Sequence, residues 1–172
     1  MIEKYRDIDN LNAQIRKKQN LLITSGYAVM MFGIWSIVRA ILMFVLEPDV
    51  IWQDAGISID DLQGIEIVIF WITILVVLLC DLLLRMYVGK RAVREGLGKR
   101  QNNIYIVLCA ISVIFTISAD VSAIINLTGD ETIEMLFSYV VVDVSTCISM
   151  VLVVTSALSL RRLNRNKESV KE

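Results

Sequence analysis

The chain has 172 residues, of which 56% are hydrophobic, with 17 basic and 18 acidic side chains and no histidine. A net charge of −1 gives none of the basic surplus that nucleic-acid binding demands. The lack of histidine removes Ser–His chemistry and argues against a zinc site. The mean hydropathy of +0.64, with an apolar fraction above the roughly 45–50% of soluble domains, points to lipid as the solvent.

Residues 1–20 come first. Ile2, Tyr5, Ile8, Leu11 and Ile15 recur near the helical period with charges between them, which predicts an amphipathic helix. Three roles fit it: lying on the cytoplasmic leaflet with Arg16, Lys17 and Lys18 near anionic lipid, pairing with a partner helix, or extending the next helix as a spacer.

Four apolar runs follow, at 21–46, 65–84, 104–127 and 133–160. A helix needs about 20 apolar residues to cross a hydrocarbon core of about 30 Å, and each run is long enough. The first run is too long for a signal peptide and lacks a small-residue cleavage site, so it is expected to persist as a span. It ends at Glu47–Pro48, where proline stops a helix. Trp52 suits the interface beyond it. Ser58 and Asp61 resemble a capping box, placing the start of the second helix near Ile59. That helix is expected to run into the basic stretch MYVGKRAVREGLGKR and stop at Gly96 or Gly98. Tyr27, Tyr87 and Tyr105 read as an inner aromatic belt. Thr128–Gly129–Asp130 makes a tight turn between the last two spans. Small residues four apart, at Ser118/Ser122, Ala119/Ala123 and Ser145/Ser149, predict the closest packing there. The segment 161–172 reads as a frayed basic tail.

Charge sets the orientation. Lys and Arg cluster before the first run, between the second and third, and after the fourth, while the other two connections carry only acids. The positive-inside rule then predicts both termini and the middle loop to be cytoplasmic. The expected fold is an all-α integral membrane four-helix bundle of two antiparallel transmembrane hairpins, with an N-terminal amphipathic helix.

Charges inside the spans are the candidate functional residues. Arg39, Asp120 and Asp143 fall at one depth, roughly 6–8 Å outside the midplane at about 1.5 Å per residue. A lipid-facing charge there costs roughly 2.5–3.5 kcal/mol, so the three are expected to face inward as an ion cluster. Its surplus negative charge suits either a shared proton or a bound cation; the alternative is that it only sets helix register. Asp81 and Arg85 form a second expected pair at the inner boundary, spaced for a helix salt bridge, with Arg85 snorkelling to the headgroups. Cys80, Cys109 and Cys147 lie within spans and read as packing residues.

No phosphate loop, HExxH or GxSxG occurs, so catalytic, cofactor and metal sites are not expected. The sequence favours a non-enzymatic inner-membrane protein acting as a regulatory, accessory or interaction subunit. Its partners would be the bilayer, anionic lipid at the basic segments, and a second copy or another membrane protein. The competing expectation is a proton- or cation-coupled transporter or channel subunit using the Arg39–Asp120–Asp143 cluster.

Overall fold

A computed structural model describes the backbone of residues 2–46, 64–125 and 133–171, and the side chains of 9–42, 45, 64–118, 121–122 and 141–167. Its helices are α1 (Ile2–Leu46), α2 (Gly64–Gly96), α3 (Ile104–Ile125) and α4 (Ile133–Lys171). Among the described residues three helices, α1, α2 and α4, are long and apolar enough to cross a membrane, and α3 carries a shorter apolar stretch, Ile104–Ser118. Pro48, Trp52, the Ser58–Asp61 cap, the start at Ile59 and the Thr128–Asp130 turn fall outside the described residues.

α1 is one unbroken helix of 45 residues, about 67 Å long. α4 has 39 residues, about 58 Å. Both exceed the roughly 40–45 Å of a bilayer with its headgroups. The amphipathic N-terminal segment is therefore the leading part of α1. Its apolar face finds a partner within the chain: Ile15 joins the buried core, and Leu11 and Leu163 pack against it. The segment after Leu160 is not frayed, because α4 continues as helix to Lys171. Leu163 is packed on the core and Arg161 is ion-paired to Glu95, which anchors the first turn of that extension.

Among the described residues, α1 and α2 approach backbone to backbone. A Cβ placed on Gly26 would meet the Gly89 carbonyl at 3.0 Å and Ala92 Cβ at 3.1 Å; one on Gly96 would meet the Gln19 carbonyl at 3.0 Å. Glycine lets backbone lie against backbone at these crossings. Gly33 receives the stem of Arg85, whose Cβ would lie 3.1 Å away. In lipid the hydrophobic effect does little to hold helices together, so such close backbone contact is a main source of association. The serines expected to do this between α3 and α4 behave differently. Ser118 and Ser122 are exposed. Ser118, Ser145 and Ser149 bond carbonyls of their own helices at 2.9, 2.7 and 2.9 Å.

α2 stops where glycine permits it. Gly98 has φ +86°, and Lys99 N–H and Gly98 N–H donate to the Arg94 and Glu95 carbonyls at 3.0 and 2.9 Å. This is a Schellman termination, which uses the left-handed region that glycine enters freely. The chain then turns, and the Asn103 carbonyl accepts from Ile106 N–H at 3.0 Å to begin α3.

Among the described residues the buried core lies towards this basic end. Leu22, Val88, Ala92, Tyr105, Cys109, Val153, Ala157 and Leu160 are each at most 2% exposed. Towards the other end α2 presents Ile65, Val68, Ile69, Ile72, Leu75 and Val77 outward. Leu79 and Leu83 continue that exposed apolar surface.

Alanine at position 89 tests the crossing. Alanine is the better helix former by about 1 kcal/mol, yet Gly89→Ala is expected to destabilise by about 1–3 kcal/mol, because its Cβ would press on Met30 and lie 2.7 Å from the Gly26 carbonyl. Gly64→Ala, which meets nothing within 4 Å, is expected to be neutral or stabilising. Thermal unfolding in detergent reads both.

Candidate functional site

Arg39 projects from the C-terminal half of α1 and reaches Asp143 of α4, with 3.9 Å between Nη2 and Oδ2. Both side chains are about a quarter exposed, 25% and 22%. At that distance the contact is a charge pair rather than a hydrogen bond. The Asp120 side chain lies outside the described residues. Three and seven residues before Arg39 on α1, Ser36 and Phe32 are half-buried, while Trp35, four residues before it, is 52% exposed. On the Asp143 face Thr146 and Met150 are buried and Cys147 is half-buried.

The second expected pair forms: Arg85 Nε donates to Asp81 Oδ2 at 2.7 Å. Its setting differs from the expectation. Arg85 is only 7% exposed, so its guanidinium is covered by protein rather than held at an open surface. Its stem lies on Gly33, near the middle of the apolar run 21–46. The apolar runs of α1 and α2 are thus displaced along each other, which brings the pair into the layer of the first. Arg39 with Asp143 and Arg85 with Asp81 thus make two ion pairs in the apolar part of the bundle. Burial in an apolar layer favours such compensation, because an unmatched charge there is costly.

A second polar assembly joins the basic end, and sequence reasoning missed it. Glu95 on α2 is 4% exposed. Its Oε1 accepts from Arg161 Nε at 2.5 Å, and its Oε2 accepts from Arg161 Nη2 at 2.8 Å. This is the bidentate fork that makes Arg–carboxylate pairs strong. Tyr105 Oη donates to the same Oε2 at 2.7 Å. Arg161 also donates to Asn103 Oδ1 and, at 3.0 Å, to the Gln101 carbonyl. Gln101 Oε1 accepts from Arg91 Nη1 at 2.6 Å, and Arg91 lies 5.3 Å from the Tyr87 ring centroid, within cation–π range. One network thus ties α2, the turn, the start of α3 and α4 together.

The belt expectation is corrected by the same network. Tyr27 and Tyr87 are 54% and 37% exposed, as interface residues would be, but Tyr105 is 1% exposed and faces inward. A signal for Glu95 was present. It follows Val88 and Ala92 on one helical stripe and is the sole acid in MYVGKRAVREGLGKR. An acid on a stripe otherwise made of small and apolar residues needs a partner when buried.

Among the described residues no three His, Cys, Asp or Glu side chains gather as a metal site requires. Cys109 Sγ donates to the Met150 carbonyl at 3.4 Å, which pins α3 to α4.

Removing the buried carboxylate leaves Arg161 and Tyr105 without their acceptor. Glu95→Ala is expected to lower stability by about 2–4 kcal/mol, less than for a fully buried pair because Arg161 keeps solvent contact. Tyr105→Phe is expected to cost about 1–2 kcal/mol. Glu95→Leu combined with Arg161→Met should lose less than the sum of the single changes; thermal melts of the four proteins measure the coupling.

No protein-family model matches this chain, and comparisons with curated proteins and with solved structures likewise gave no match.

Proposed function

We propose that the chain is a non-enzymatic protein of the inner membrane that crosses it four times as two antiparallel hairpins, with both termini cytoplasmic. In this reading it is a regulatory, accessory or interaction subunit. One observation carries the proposal: α1 and α4 run without interruption from their apolar stretches into a packed basic end held by the Glu95–Arg161 pair. A helical projection of this kind is preorganised for docking, since little chain entropy remains to be lost on binding. The distribution of Lys and Arg supports the orientation. The apolar stretch of α3 from Ile104 supports the fourth crossing.

Two measurements test the proposal. With the native cysteines replaced, a cysteine introduced between residues 47 and 63 should label only from outside the cell, and one at Lys99 only from inside. A photo-crosslinker at the exposed Gln14 should then capture a discrete protein or a second copy in intact cells. Labelling of both positions from one side would remove the four-span topology. A protein that stays monomeric and uncrosslinked would remove the interaction role.

Proton- or cation-coupled transport is the second reading. The Arg39–Asp143 contact between two apolar helices favours it. In reconstituted liposomes this reading expects Asp143→Asn and Asp120→Asn each to lower flux at least ten-fold. Unchanged flux in both variants would take these carboxylates out of any pathway.

A further inference from the structure

The basic end contains a cleft of about 880 Å³ whose lining includes Gln19, Arg100, Arg161, Arg162, Arg165 and Lys167. A smaller cavity of about 460 Å³ continues it along α1 and adds Arg16. The two share Gln19, Gly98, Asn164 and Lys167, so they form one groove between α1, the α2–α3 turn and α4. The acid in this lining, Glu95, is already engaged through both oxygens by Arg161 and Tyr105. Arg161 is spent on Glu95, Asn103 and the Gln101 carbonyl. Among the described residues Arg100, Arg162, Arg165 and Lys167 have no acid within salt-bridge distance. The groove therefore carries a surplus of positive charge beside the hydrogen-bonded Glu95–Arg161 pair.

The surface leading into it identifies the occupant. Val144, Val151 and Leu158 recur seven residues apart on α4 and are 45%, 46% and 54% exposed. Leu158 also lines the cleft. The next residue in that series is Arg165, and Arg162 lies one turn beyond Leu158. One continuous face of α4 thus passes from an apolar stripe to arginines at the mouth of a concavity. A soluble anion would use only the basic part. A ligand with a phosphate and an acyl chain would use both.

We propose that this groove binds an anionic phospholipid, with its headgroup phosphate among Arg100, Arg162, Arg165 and Lys167 and one acyl chain along Val144, Val151 and Leu158. The inference rests on the membrane reading above and gives its expected anionic-lipid partner a specific seat. Guanidinium groups suit phosphate because they offer paired donors in a fixed plane. Bound lipid would also brace the projecting parts of α1 and α4 against each other, since residues of both line the groove.

The test uses the full chain in nanodiscs of phosphatidylcholine with or without phosphatidylglycerol of the same acyl chains. Retained lipid is measured by native mass spectrometry after release into mild detergent. Phosphatidylglycerol should be retained in preference to phosphatidylcholine. Arg162→Gln with Arg165→Gln should lower that preference about twenty-five-fold, about five-fold for each arginine. Both arginines are exposed; should the double variant misfold, Arg165→Gln alone carries the expected five-fold loss. Equal retention of the two lipids, or an unchanged preference in the folded variants, overturns the proposal. Displacement of the lipid by an equal concentration of glycerol phosphate also overturns it, by making the site one for soluble phosphate. Resistance of the protein to carbonate extraction from membranes is scored on the same preparation. Loss of that resistance sinks the membrane reading itself, whereas retained insertion without lipid preference sinks only the groove.

Discussion

The register of α1 against α2 is the constraint on which the remaining features depend. Gly26, Gly89 and Gly96 let the two backbones meet at distances that any Cβ would disturb. Once Gly26 lies on Gly89, Arg85 must fall on Gly33. Glu95 must then fall at the level where α3 starts and α4 carries Arg161. A slip of one helical turn would move Arg85 about 5.4 Å along the bundle and carry Glu95 away from both its partners. The glycine crossing thus positions two polar assemblies that are far apart in the chain.

Those assemblies solve the problem of buried charge in different ways. In the apolar half, Arg39, Asp81, Arg85 and Asp143 offset one another by number and proximity, with one short hydrogen bond, Arg85 to Asp81, and one looser contact at 3.9 Å. At the basic end a single carboxylate is saturated by a bidentate arginine and a tyrosine hydroxyl. The first arrangement is loose and partly accessible, which leaves its charges room to change partners. The second is tight, and it fixes the geometry of the turn that joins α2 to α3.

The distribution of buried side chains follows the same division. Where α1 and α4 extend beyond the apolar stretches, water restores the hydrophobic effect, and Ile15 is withdrawn from the surface with Leu11 and Leu163 packed against the same core. Each large apolar group buried in water is worth about 1.5–3 kcal/mol. Along the apolar half of α2, lipid would solvate Val68, Ile72 and Leu75 as well as another helix would, so nothing compels them to be covered.

Much of this was legible in the residue order. Long uncharged runs establish apolar helices, the glycines of GLGKR mark the end of α2, and the spacing of Asp81 and Arg85 announces their ion pair. These features are local, since each depends on residues within a turn or two of one another. The helical course of the chain past Leu160 and the level at which Arg85 lies on Gly33 depended instead on how far helices slide past each other. No periodicity within one helix encodes that sliding. It was set by where a backbone can approach a backbone, and only the tertiary structure shows that Gly26 meets Gly89. The partnership of Glu95 with Arg161, separated by 66 residues, exists for the same reason.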